Sequence, residues 1–430
     1  MIALNQCQNK KFLVFGLGLS GTSTINALSK FGAKIECWDD NLELRKKAKS
    51  KFILNSNWFD NYYDFIVISP GINIYKNKYK NFFLKYKNRI ITDLDLFYSS
   101  LKSKNVIVVT GTNGKSTLTK LIYDLLKKSN KKVYIGGNYG KAVLDLPFED
   151  KKAIFVLELS SYQIDYSKNI YSSVAIMLTI SPDHLERHET IEKYISTKLK
   201  IFDTLVAAGQ GFIDLNTNFK SKILRMVKKN KYKNILYIKK NTKLFVNKKL
   251  ISLSLLGNHL NNLIFIAYKV SKIFNISLSK YIYTIKNFKG LPHRQEIVKI
   301  KNNLIFINDS KATNFNSSEV ALEKYKNIHW IVGGLPKKND EINVLKYKKN
   351  ILKAYVIGKS INFFLKSFKN LIDFEVNHTL EKSLKSCIFN ANKNRNLNQT
   401  VLLSPSAASF DQFKNFEDRG NKFKNFLKKY

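Results

Sequence analysis

At 430 residues, with 44% hydrophobic and 13% aromatic side chains, the chain is long enough to bury several cores and too apolar to be a disordered polymer. Its formal charge of +41 invites a nucleic-acid reading, but lysines recur along the whole length, as in Lys46-Lys47, Lys127-Lys128, Lys228-Lys229 and Lys428-Lys429; no nucleic-acid motif accompanies them, so nucleic acid is not an expected partner. No apolar run of roughly 18 residues and no signal-peptide core occurs, which argues against membrane insertion and for the cytoplasm, while the separated Cys7, Cys37 and Cys387 read as reduced thiols.

From Lys11 the pattern is strand, helix, strand: KFLVF, a helix from Ser20, KIECW, then DFIVIS ending at Pro70-Gly71. This alternation predicts a parallel α/β sheet. After the first strand stands Gly16-Leu17-Gly18-Leu19-Ser20-Gly21, a complete GxGxxG, followed by Asp39-Asp40. Such a turn brings backbone close to a pyrophosphate at a helix N-terminus, and taken alone it predicts NAD.

A second α/β unit opens with the strand Val106 to Val109. Gly111-Thr112-Asn113-Gly114-Lys115-Ser116-Thr117 then separates that strand from the helical sequence LTKLIYDLLKK. A loop so placed aims successive N–H groups and a helix N-terminus at one anion; Lys115 supplies positive charge for phosphate oxygens and Ser116 can ligate Mg²⁺. This predicts an ATP site and makes a redox reading of the first glycine motif less economical. Glu158 closes the strand AIFVLE and His184 follows SVAIML, both at strand ends where open α/β sheets place ligands. By position alone the glutamate also reads as a helix cap, the histidine as a structural group and Asn138 of IGGNYG as a turn residue. In YISTKLKIF the apolar Ile195, Leu199 and Phe202 form one face, which leaves Lys198 a surface lysine on spacing alone. His188 reads as a solvated helix residue.

Leu291-Pro292-His293 marks the next boundary. A third α/β unit runs through NLIFIND, HWIVGG, AYVIG and TVLLS to an amphipathic tail. The expected domains are 1–93, 94–290 and 291–430.

GTNGKST is similar to the nucleotide loop of the Mur ligases and of their folylpolyglutamate synthetase relatives. The N-terminal GxGxxG, the IGGNYG, SPDHL and YISTKLKIF segments and Leu291-Pro292-His293-Arg294 extend a Mur ligase resemblance over most of the chain. It implies a Rossmann-like UDP domain, a central P-loop ATPase domain and a C-terminal Rossmann-like domain. It further implies that Leu19, Ser20, Asp40, Asn41, Ser69, Gly71, Asn138 and Ser160 face the UDP-linked substrate, and that the loop from Gly111 to Thr117, with His259, Arg294 and Asp309, serves ATP. Ser116, Glu158 and His184 would hold two Mg²⁺ ions, joined by Lys198 carbamylated by CO₂. Lys115, Glu158, His184, Lys198 and Arg294 are thus the implied catalytic set. The family's G-x-H-N-x-x-N segment reads here Gly257-Asn258-His259-Leu260-Asn261-Asn262, so either Asn261 or Asn262 replaces one contact near adenine.

Asn308 to Asn314 and Leu402 to Gly420 resemble the branch of the family that adds D-glutamate to UDP-N-acetylmuramoyl-L-alanine. A dicarboxylic amino acid calls for cations and hydroxyl donors; the implied contacts are Lys311, Thr313, Lys337, Ser409 and the backbone near Phe416. The expectation is therefore a monomeric ATP-dependent ligase working through an acyl phosphate. Its rivals are a folylpolyglutamate synthetase, which would not need a UDP-type first domain, a basic nucleic-acid-binding NTPase, and an NAD-binding regulatory protein.

Overall fold

The computed structural model describes residues 2–48, 57–203, 205–239, 244–246, 249–251, 260–337, 340–394 and 396–430. It comprises two compact units, Met1–Ser252 with Asn261–Lys286, and Leu253–Leu260 with Asn287–Tyr430.

The first unit holds two parallel sheets. Strands β1 (Lys11–Phe15), β2 (Lys34–Trp38), β3 (Phe65–Ile68) and β4 (Ile90–Ile91) lie in the order β2-β1-β3-β4. Strands β5 (Val106–Thr110), β6 (Val133–Gly137), β7 (Ile154–Glu158), β8 (Ser172–Met177), β9 (Leu205–Asp214) and β10 (Ile235–Ile238) lie in the order β10-β9-β8-β5-β7-β6. Helices cover such sheets on both faces, so the central strands are buried on both sides and read as continuous apolar runs; every residue of β5 and β7 is buried. A short hairpin, β11 (Leu244–Val246) with β12 (Lys249–Ile251), is antiparallel.

The helix Asp93–Ser100 starts where the sequence suggests the first boundary. Thr92 caps it, with its hydroxyl accepting from Asp95 N at 3.1 Å while Asp95 accepts from Thr92 N at 2.9 Å, a reciprocal arrangement that satisfies two otherwise orphaned donors. Leu94, Leu96 and Phe97 join one buried cluster with Phe12 and Val14 of β1 and Phe155 and Leu157 of β7. The two sheets therefore share a core.

The second unit carries β13 (Glu296–Lys301), β14 (Leu304–Asn308), β15 (Ile328–Gly333), β16 (Ile351–Ile357), β17 (Phe374–His378) and β18 (Gln399–Leu403) in the order β13-β14-β18-β15-β16-β17. Only β13 runs antiparallel, at an edge. Apolar clusters centred on Trp330 and on Tyr355 fill its two faces. Three α/β sheets in series match the expected fold class.

Candidate active site

In the central sheet β5 lies between β7 and β8, and their carboxyl ends deliver the phosphate loop, Glu158 and the segment leading to His184. Gly111 adopts φ +142°, and a Cβ there would stand 2.7 Å from Leu178 Cβ; only glycine lets the loop pass β8 so closely. Gly114 at φ +81° is the residue before the helix Lys115–Lys128, and Ser116 is buried in that helix's first turn. Lys115 Nζ donates to its own loop, to Gly111 O at 3.0 Å and Thr112 O at 2.8 Å. Thr112 anchors the loop to the end of β8 through Thr179 O and Ser181 O. Asn113 is exposed and Thr117 half-buried.

Glu158 is 1% exposed. Its Oε1 accepts from Asn138 Nδ2 at 2.9 Å, while Oε2 is buried with no hydrogen-bond partner among the described residues. A buried polar oxygen left bare in this way is costly unless a partner such as a cation completes it. Next in the chain, Ser160 caps the helix Ser161–Tyr166, its hydroxyl accepting from Gln163 N at 3.2 Å.

Lys198 is 2% exposed, contrary to the spacing argument. The helix Ile191–Leu199 buries Tyr194, Ile195, Lys198 and Leu199, a stripe in which Lys198 follows Tyr194 by one turn. Its Nζ donates to Gly111 O at 3.0 Å and Thr110 Oγ1 at 3.3 Å and lies 4.7 Å from the Tyr194 ring centre. Burial, reinforced by the nearby Lys115 charge, holds the Lys198 amine far below its ordinary pKa.

His184 adopts the left-handed conformation, φ +55°. Its Nδ1 lies 2.9 Å from Tyr162 Oη and its Nε2 3.4 Å from Asp183 Oδ2. His188 is a second correction: it is 5% exposed, not solvated, and its Nε2 lies 2.9 Å from Ser161 Oγ. The four-residue helix Leu185–His188 stops at Glu189, φ +64°, and that reversal leaves His188 facing inward. Burial lowers its pKa.

A cavity of about 610 Å³ joins these strand ends to the N-terminal sheet. Of the predicted residues, Leu19, Ser20, Ser69, Gly71, Gly111, Lys115, Asn138, Ser160, His184 and Lys198 line it. Leu19 stands 89% exposed. Asp39 lines the cavity, whereas Asp40 and Asn41 do not. The Asp39 carboxylate accepts from Leu17 N and Asn41 N, each at 2.7 Å, fixing the glycine turn to the end of β2; Asp40 instead receives Asn77 Nδ2 at 2.9 Å and pairs with Lys78. Sequence reasoning also passed over Tyr162, Asp183 and Tyr194, which line the same cavity. Their signal was available for Tyr194, an i−4 neighbour of Lys198, and for Asp183, adjacent to His184. Behind Gly71, Tyr166 Oη and Arg187 Nη1 both donate to Ile72 O at 3.0 Å, tying the turn after β3 to the central sheet.

Within the second unit the predicted residues gather at the carboxyl ends of β14, β18 and β15, three neighbours in the sheet, the edge at which open α/β folds bind ligands. Asn308 is fully buried and donates to Gly420 O at 3.1 Å and to His293 Nδ1 at 2.9 Å. Asp309 accepts from Ser404 Oγ at 2.8 Å and Gln295 N at 3.1 Å, and burial pushes its carboxyl up to about 7 against the partial relief of Arg294 and Lys324. Lys311 Nζ sits 3.9 Å from the Phe416 ring centre. Thr313 is half-buried and Lys337 exposed, while Ser409 is 2% exposed. Arg419, which the sequence reading left without a role, is 1% exposed and bonds Ser310 Oγ and O and Ala407 O. It straps the C-terminal segment to the end of β14. His259 lies outside the described residues. Of its neighbours, Asn262 is buried and donates to Asp214 Oδ1 at 2.9 Å, and Asn261 opens the helix Asn261–Ile273.

Residues 109–279 match the Mur ligase middle domain. The chain is 33% identical to a UDP-N-acetylmuramoylalanine–D-glutamate ligase of Wolbachia pipientis wMel over 98% of this chain and 96% of that one. It is 32% identical to a ligase of the same name from Rickettsia felis over 99% of each. Among solved structures it is similar to the alanine ligase MurC of Thermotoga maritima, at TM-score 0.58 and 15% identity over 98% and 99% of the two chains. A MurF ligase of the same organism, in complex with ADP, gives TM-score 0.58 and 18% identity over 98% and 96%.

Proposed function

The chain belongs to the Mur ligase family, and we propose that it is the member that joins UDP-N-acetylmuramoyl-L-alanine to D-glutamate through an amide bond, converting ATP to ADP and phosphate in peptidoglycan precursor synthesis. The observation that carries this is identity of about one third over essentially the whole chain to relatives named for that reaction. We assign 1–93 to the UDP-linked substrate, 94–290 to ATP and 291–430 to the amino acid, in a monomer acting in the cytoplasm.

In this reading the alanyl carboxylate attacks the γ-phosphorus of ATP. ADP leaves as the acyl phosphate forms. The D-glutamate amine then adds to its acyl carbon and the tetrahedral intermediate expels phosphate, the amine proton passing to solvent, so no side-chain nucleophile is needed. The chain's contribution is positioning and charge neutralisation. The loop Gly111 to Thr117 cradles the phosphates, Lys115 leaving its loop carbonyls to meet them, with Arg294 and Asp309 as further ATP-side groups and His259 on the adenine side. Leu19, Ser20, Ser69, Gly71, Asn138 and Ser160 hold the UDP-linked substrate. Lys311, Thr313, Lys337, Ser409 and the backbone at Phe416 receive the carboxylates of D-glutamate.

The bare Oε2 of Glu158 fits a divalent cation. Ser116, Glu158, His184 and a carbamylated Lys198 would hold two Mg²⁺ ions, which when bound neutralise charge on the transferring phosphoryl group. Lys198 fits carbamylation because only an unprotonated amine attacks CO₂, and burial beside Lys115 shifts Lys198 toward that form.

The test is phosphate release with ATP, Mg²⁺ and UDP-N-acetylmuramoyl-L-alanine, comparing D-glutamate with L-glutamate, L-alanine and meso-diaminopimelate. Release dependent on D-glutamate is expected. Turnover with one of the others instead would overturn the assignment of the amino acid.

A further inference from the structure

The surroundings of His184 decide which of its nitrogens is free to bind anything. Tyr162 Oη lies 2.9 Å from His184 Nδ1 and also donates to Glu186 Oε1 at 3.2 Å. On the opposite edge of the imidazole, Nε2 lies 3.4 Å from Asp183 Oδ2, and His184 and Asp183 both line the cavity. A phenol has one proton to give. Given to the Glu186 carboxylate, it leaves the phenol oxygen as an acceptor, so Nδ1 must carry hydrogen and Nε2 keeps its lone pair. Given to Nδ1 instead, it forces hydrogen onto Nε2 and removes that lone pair. The second arrangement would turn an Nε2 hydrogen toward Asp183 Oδ2 at 3.4 Å. The first satisfies Glu186 through the phenol and gives the Nδ1 hydrogen two acceptors, Tyr162 Oη at 2.9 Å and Glu186 Oε1 itself at 3.4 Å. Bonds to a carboxylate are the stronger ones, so the network favours the first arrangement.

The Tyr162 ring is held for this task. The His188 ring stacks on it at 5.8 Å and 28°, the Arg187 guanidinium lies 4.6 Å from its centre, and the His184 ring packs at 4.8 Å. Buried His188 is in turn anchored to Ser161 Oγ. We propose that Tyr162 is a positioning residue that, with Glu186, fixes His184 as the Nδ1–H tautomer, so that Nε2, beside Asp183, is a donor to a divalent cation. This rests on the ligase reading in taking His184 as a cation ligand and that cation to be Mg²⁺. Outer-sphere partners of metal-binding histidines commonly act in this way.

The tautomer is read directly from imidazole ¹⁵N shifts in the full-length protein labelled at histidine, recorded at about pH 9, above the ordinary imidazole range, with His184→Gln assigning the signal. Wild type should show a protonated-type Nδ1 and a bare Nε2, and Tyr162→Phe, which keeps the ring stack, and Glu186→Ala should both move the population toward Nε2–H. Mn²⁺ titrated alone and followed by electron paramagnetic resonance should bind about 10–100-fold more weakly to Tyr162→Phe. A wild-type Nε2–H tautomer, or shifts unmoved by both variants, would overturn the proposal. Mn²⁺ affinity unchanged in both His184→Gln and Tyr162→Phe would overturn Nε2 as a cation donor, while D-glutamate-dependent phosphate release by the same preparation would leave the ligase reading standing.

Discussion

Lys198 and Lys115 both approach the carbonyl of Gly111, and two ammonium groups at one oxygen is an arrangement that burial makes expensive. Burial and the Lys115 charge lower the Lys198 pKa, and in the carbamate proposed for Lys198 the repelled cation would become an anion. Lys198→Ala should abolish ligation, and a ¹³C carbamate signal from labelled bicarbonate should be present in wild type and absent in the variant; a signal that persists would contradict the assignment. Asp309 makes a prediction of opposite character. Its carboxyl is raised from 3.8 to about 7, so the folded state binds the proton more tightly than the unfolded state. The stability it contributes is complete below about pH 4 and is lost as pH rises through 7, up to about 4 kcal/mol. Asp309→Asn should therefore flatten the fall in urea-unfolding stability between pH 4 and pH 8; an unchanged slope would show that the carboxyl is not raised. The Asp309 motif was visible in sequence. Its burial was not, because Ser404, Gln295 and Arg294 converge on it from separate segments. Lys198 was legible only through resemblance, since its charge masks a position on the apolar stripe beside Tyr194.

At the scale of elements, strands buried on both faces announced themselves: VIVVT, IFVLE, LIFIN and IHWIVG are almost uninterrupted apolar runs. Nearer the edges the signal was uneven: KIECW of the edge strand β2 was legible, but others were not. β13 (EIVKIK) and β17 (FEVNH) have exposed residues breaking any pattern, and β9 carries Gly209 and Gly211 and an exposed Ala207-Ala208 pair. The helix Phe416–Lys429 illustrates a constraint that composition conceals. Gly420 sits inside it because a Cβ there would lie 2.1 Å from His293 Nδ1, and the His293 ring in turn receives Asn308 Nδ2. Gly420→Ala, ordinarily favourable in a helix, should destabilise the second unit by about 1–3 kcal/mol through overpacking. Chemical denaturation is the check, and a stabilised variant would contradict the packing. Gly111→Ala should likewise weaken ATP binding, because both its φ and Leu178 forbid the methyl group; equilibrium titration with an ATP analogue measures this, and unaltered affinity would refute it.

Across the whole molecule the +41 charge is spread rather than focused, and self-repulsion of that size opposes the compact state. The melting temperature should consequently rise when NaCl is increased from about 20 to about 200 mM, a range over which the Debye length shrinks well below molecular dimensions. A fall would show that attractive ion pairs dominate. The composition says nothing about chemistry; the reaction was legible instead in a few strand-end segments, the phosphate loop, Glu158, SPDHL and the two C-terminal runs, each placed where parallel sheets present ligands. The central claim is that the chain passes an alanyl oxygen to phosphate and an acyl group to D-glutamate. The most direct measurement follows ¹⁸O from UDP-N-acetylmuramoyl-L-alanine labelled in both alanyl carboxylate oxygens, with ATP and either D- or L-glutamate. The account predicts one labelled oxygen in the released phosphate and the other in the amide product, with D-glutamate only. Unlabelled phosphate, or equal turnover with L-glutamate, would contradict it.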